Sequence, residues 1–161
     1  MTPFAEAVDS ILSKLVLDVR KQLEGIPEDD LNNWRPALGL EDVNTFYALT
    51  THLIGAGEYW ILHAAGGRPT NRNRPAEFHA SGTLADLEAR LDRWMTDVRG
   101  YLQTLSYDDL GRIFERGGDD PDHRAFANAI LHGVEHTGVH LGHLQLQRQI
   151  WNAERGFSAP S

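Results

Sequence analysis

The stretch LHGVEHTGVHLGHLQLQR carries His132, His136, His140 and His143, and imidazole is the commonest protein ligand for a transition metal. Residues four apart on a helix hold their Cβ atoms roughly 5 to 6 Å apart, so one nitrogen each from His136 and His140 can converge on a single ion. At about 100° per residue, with His136 at zero, His132 falls near −40°, His140 near +40° and His143 near −20°. Ala129, Val139, Leu144, Leu146, Ile150 and Trp151 share that arc, which predicts that the imidazoles point into the protein. A buried imidazole nitrogen without a partner costs about 1 to 3 kcal/mol, and a shared ion would satisfy several at once. The competing reading is a set of packed core histidines, each with its own hydrogen bond.

A third ligand must come from another inward face. His52, flanked by Leu49 and Leu53, is the best placed. His63 lies on the same helical face but about 16 Å further along the axis, too far to serve the same ion. His79 and His123 fall in loop-like surroundings and are expected in solvent. Two zinc-protease registers need weighing. HTGVH has Thr137 where H-E-x-x-H places its general base, whereas HGVEH matches H-x-x-E-H with Glu135 as the base, in a chain small for that architecture.

Three neutral imidazoles would leave a divalent ion its full charge and an open position, the arrangement that lowers the pKa of a bound water or thiol towards 7. A structural site is normally closed by four protein ligands, and with no cysteine in the chain only His143 or a carboxylate could close this one. Imidazole suits zinc, nickel, copper and iron alike, with zinc or nickel foremost. Arg72 and Arg74 could anchor a carboxylate of a substrate or thiol in bidentate fashion, or else pair with Glu77 or stand in solvent. Tyr59 faces the same way as His52 and is a pocket candidate. Glu58 and Glu135 are candidate partners for the far nitrogens of ligating imidazoles.

The elements that must position these groups are helical. Thr2–Pro3 reads as a cap and first position, after which Phe4, Val8, Ile11, Leu12, Leu15, Val19 and Leu23 recur at helical spacing until Gly25. PEDDLNNWRPALGL is a broken connector with one short turn and Trp34 tucked onto the core. A second helix runs from about Val43 to Ala65 and stops at Gly66–Gly67. GGRPTNRNRPAEFHASG has no periodicity and suits a surface crossover. Thr83 caps a third helix with a stripe from Leu84 to Leu105, and a fourth runs from about Asp122 to Asn152. Period-two alternation is confined to a short run at Arg112–Arg116. The expected fold is all-α, a four-helix bundle with a long crossover between helices two and three.

At 161 residues the chain fits one domain, and its net charge of −8 offers no basic surface for nucleic acid or anionic membrane. No run approaches the roughly 20 apolar residues of a membrane span, and no leader-like segment opens the sequence, so cytoplasm is the expected compartment. Leu131, Val134, Gly138 and Leu141 form a second apolar stripe opposite the histidines, to be covered by a neighbouring helix or by the second subunit of a homodimer.

With these features in place, the sequence resembles the DinB/YfiT-like superfamily of small metal-binding four-helix proteins. THLIGAGEYW, the crossover GGRPTNRNRPAEF and LHGVEHTGVHLGHLQLQR carry the likeness, in order and spacing, over nearly the whole chain. The resemblance implies one divalent ion at one end of the bundle, held by His52, His136 and His140, with water or substrate completing its shell. It also implies either thiol-dependent S-transfer or isomerisation, using a low-molecular-weight thiol such as mycothiol, bacillithiol or glutathione, or no characterised activity; a homodimer fits it too. Metal-dependent hydrolysis and non-catalytic binding of metal or small ligands are the alternatives. His143 stands where the family often has glutamine, and Asn71 and Asn73 stand where one related subset has acidic residues.

Overall fold

The computed structural model describes residues 1–36, 43–114 and 124–156. His123, the expected start of the last helix at Asp122 and the end of the Arg112–Arg116 run lie outside them. Helix α1, Pro3–Leu23, begins as its sequence dictates, with the Thr2 hydroxyl accepting from the Ala5 amide at 3.2 Å and proline at the first position. It buries Val8, Leu12, Val16, Val19 and Leu23 along one stripe, and Gly25 takes the left-handed conformation that turns the chain away. The short α2, Glu28–Asn33, follows, and Trp34 stacks on Phe46 with ring centroids 5.3 Å apart.

Helix α3, Phe46–Gly57, is capped by Thr45 and is buried on nearly every side. It continues as a π-helical segment, Glu58–Ala65, in place of the single regular helix expected to Ala65. The crossover contains one helical turn, α4, Arg74–Glu77, opened by the Asn73 side chain accepting from the Ala76 amide at 3.2 Å. Helix α5, Leu84–Thr104, starts on a reciprocal Thr83–Asp86 capping box, and α6, Tyr107–Leu110, on a similar Ser106–Asp109 pair. Strands β1, Ile113–Phe114, and β2, Arg124–Ala125, pair antiparallel ahead of α7, Phe126–Glu154.

The long helices close a ring in which α1 packs on α7, α7 on α3 and its π-helical extension, α3 on α5, and α5 on α1. This is the expected all-α bundle with its crossover between the second and third long helices. Arg20 of α1 pairs with both Glu88 and Asp92 of α5. Gly57 lets α3 lie against α5, since a Cβ there would sit 2.1 Å from the Trp94 ring.

The buried face of α7 departs in part from the expected one: Ala129, Leu144 and Trp151 are buried as expected, but its centre is turned away from the histidines. Ile130, Gly133, Thr137, Leu141, Leu144 and Trp151 form it, while Val139 and Leu146 are 51% and 57% exposed. The histidines therefore lie on its shoulder, where His132 and His136 open to a cavity. The second stripe divides accordingly: Leu141 is buried and Val134 packs against the core, both within the chain, whereas Leu131 is exposed.

Candidate metal centre

The all-round burial of α3 places His52 inside the bundle, 5% exposed. Its ring meets those of His136 and His140 edge-on, with centroids 5.1 and 4.9 Å away. On α7 the four-residue spacing does what it should, and the Nε2 atoms of His136 and His140 face each other at 3.2 Å. One ligand atom from each of the three histidines lies within 4.8 Å of the other two. Two nitrogens about 2.0 to 2.1 Å from a tetrahedral ion stand about 3.3 Å apart, so the His136–His140 separation already fits such an ion. Burial, followed by the neighbouring His140, pushes His136 down to about 3, and burial chiefly takes His140 to about 4. Burial lowers His52 as well, with Glu77 opposing. Neutral rings leave lone pairs available for a cation.

Glu77 orients the first of these rings. Its Oε2 lies 2.8 Å from His52 Nδ1, and Arg72 donates to both carboxylate oxygens, Nε to Oε1 at 2.6 Å and Nη2 to Oε2 at 2.9 Å. Burial would raise the Glu77 carboxyl, but the hydrogen bonds from Arg72 and His52 outweigh it and hold the group below its usual range. An ionised carboxylate can only accept, so His52 carries its proton on Nδ1 and turns a bare Nε2 towards His136 and His140. Gly55, three residues after His52, makes room: a Cβ there would fall 2.2 Å from Glu77 Oε1. The far nitrogen of His140 meets His143, Nδ1 to Nδ1 at 3.3 Å, and that of His136 is buried with no hydrogen-bond partner among the described residues.

A cavity of about 640 Å³ opens onto His52 and His136, walled by Tyr59, Trp60, Arg72, Arg74 and His132. A second, of about 450 Å³, adjoins it across Tyr59 and Arg72, which line both.

The sequence profile of the DinB superfamily matches residues 17–144, a span that holds all three histidines and Glu77. The chain belongs to the DinB superfamily. Membership and the three-histidine group together fit a metal-binding protein. No curated protein matches this DinB-superfamily chain.

The remaining candidates fall in different places around the DinB centre. Tyr59, Arg72 and Arg74 line the cavity at the histidines, although Arg72, its side chain 16% exposed, is committed to Glu77. His143 is exposed and sits outside the group of three, behind His140. Glu58 does not partner a triad imidazole, because Arg90 takes its carboxylate at 2.6 Å. Glu135 is largely exposed and pairs with His132 at 3.2 Å. The carboxylate on a triad imidazole is Glu77, which the sequence offered only as an ion-pair partner for the arginines. Its signal was a lone glutamate in a proline-opened turn beside two arginines. His63 donates from Nδ1 to the Arg68 carbonyl at 2.6 Å and lines the second cavity, and His79 is exposed as expected. No helix among the described residues is long and apolar enough to cross a membrane.

Proposed function

We propose that this protein is a divalent-metal-dependent enzyme acting on a small electrophile, by thiol-dependent S-transfer or isomerisation. The supporting observation is the convergence of three neutral imidazoles, with no fourth ligand in the group among the described residues, two of them, His52 and His136, lining a cavity large enough for a small organic molecule. His52, His136 and His140 would hold the ion, with zinc or nickel foremost. Such an ion supplies acidity to a bound thiol or water and polarises a carbonyl oxygen.

The chain's own residues do the rest. Glu77 and Arg72 fix the tautomer and direction of His52, so that its bare nitrogen needs no reorganisation on binding. Tyr59 and Trp60, packed edge to face with centroids 5.2 Å apart, give the cavity a rigid aromatic wall that displaces water from one side of the reactants. His132 stands edge-on to Trp60 at 4.8 Å and closes the wall next to His136.

The test is turnover of a small electrophile by protein of measured metal content, with and without a low-molecular-weight thiol. Consumption that requires both supports the proposal. Consumption with metal alone would favour hydrolysis, and silence in both arms would favour a non-catalytic binding protein.

A further inference from the structure

The two adjoining cavities differ in charge. In the second, Glu58 pairs with Arg90 at 2.6 Å and Asp97 with Arg68 at 3.0 Å, so cation and anion cancel. The cavity at the histidines is lined by two guanidiniums and by no carboxylate among the described residues. A chain of net charge −8 thus presents a cationic pocket at its candidate metal centre, and such a pocket concentrates anions.

The two guanidiniums are not equivalent. Arg72 is spent on Glu77 through Nε and Nη2. Arg74 has no carboxylate or hydrogen-bond partner among the described residues; its guanidinium lies over the Phe78 ring, 5.3 Å from the centroid, which limits its wandering without neutralising it. The aromatic wall of Tyr59 and Trp60 faces the same cavity, and Asn71 on its rim adds an amide that can donate.

We propose that this cavity takes a carboxylate-bearing organic molecule, with Arg74 receiving the carboxylate and the Tyr59–Trp60 wall its apolar body. The inference rests on the catalytic reading above and names the substrate class for it. A planar guanidinium matches a carboxylate in two-point fashion, and one uncommitted arginine balances one negative charge. The carboxylate could belong to the electrophile or to the thiol, and the test separates them.

Calorimetric titrations would use the protein as purified, its metal content measured on the same sample, with two matched pairs: 3-phenylpropionate against 3-phenylpropionamide, and 3-mercaptopropionate against 3-mercaptopropanol. The acid of at least one pair is expected to bind about fivefold tighter than its neutral analogue, the scale of one exposed ion pair. Arg74→Gln should abolish that preference, and Arg93→Gln, an exposed charge on α5, should keep it. A preference in the phenyl pair gives Arg74 to the electrophile, and one in the mercapto pair gives it to the thiol. Equal affinity within both pairs, no binding of any probe, or a preference that survives in Arg74→Gln overturns the proposal. An unchanged metal content in Arg74→Gln would leave the metal-centre reading standing in that event, whereas wild-type protein that takes up no metal would strike that reading instead.

Discussion

Glu77→Gln isolates what the buried carboxylate does for the centre, because it keeps the shape of the side chain and removes only its charge. Three donors converge on the two oxygens: Arg72 Nε on Oε1, and Arg72 Nη2 and His52 Nδ1 on Oε2. An amide has one oxygen, so at least one of these N–H groups must face an NH2. Loss of a carboxylate behind a ligating imidazole costs about 10- to 100-fold in metal affinity, or about 1.4 to 2.8 kcal/mol. Folding should suffer less than the roughly 3 to 5 kcal/mol of an abandoned buried charge, because the amide oxygen still accepts one donor and Arg72 keeps some access to water. Gly55→Ala approaches the same contact from the other side, with its methyl 2.2 Å from Oε1 in the unrelaxed structure and no change of charge. Zinc titrations against a chromophoric chelator would measure the affinities, with thermal melts of the metal-free proteins alongside. Both variants should bind zinc at least about tenfold more weakly while remaining folded. Wild-type affinity in Glu77→Gln, within about twofold, would refute the orienting role.

Three other outcomes can be checked without metal. Burial, reinforced by Asp109, pushes the Tyr101 phenol up to about 12, and its hydroxyl is buried with no partner among the described residues. The unfolded chain loses that proton from about pH 10, so the folded state binds more protons and stability should fall between about pH 10 and 12; Tyr101→Phe should remove that loss and leave neutral-pH stability equal or higher in urea titrations. Gly57→Ala drives a methyl into the Trp94 ring and should cost about 1 to 3 kcal/mol, and an unchanged urea midpoint would show that α3 and α5 are not held this close. Leu131, Val139 and Leu146 leave an exposed apolar face on α7, for which a homodimer is the proposed cover; sedimentation should give a dimer that Val139→Glu dissociates, and a wild-type monomer would dismiss it.

The elements with a single polar face were legible in the sequence. Helices α1 and α5 begin at the caps and bury most of the stripes that their spacing predicts, because one face of each is charged and the other apolar; Ile11 is the exception, at the edge of the α1 stripe and 53% exposed. The last helix is different: apolar residues occur all round it, so periodicity could not fix its inward pole. Gly133 decides it, since a Cβ there would meet Ile61 at 2.7 Å, and the core line falls roughly 80° from His136. The spacing of His136 and His140 survives such a rotation, which is why the pair was readable while its surroundings were not. The π-helical segment shifts hydrogen bonds by one residue, leaves no trace in hydrophobic pattern and takes His63 to the neighbouring cavity. Glu77 escaped because its burial depends on a short turn lying across Gly55, a tertiary contact with no local signature.

In the proposed centre, two helices distant in sequence share one ion through His52, His136 and His140. Elemental analysis of purified wild-type protein beside His52→Ala, His136→Ala, His140→Ala and His143→Ala tests it most directly. One equivalent of a divalent transition metal is expected in wild type and in His143→Ala, with loss in each of the other three. Metal retained at full stoichiometry in His52→Ala, His136→Ala or His140→Ala would rule out the shared centre.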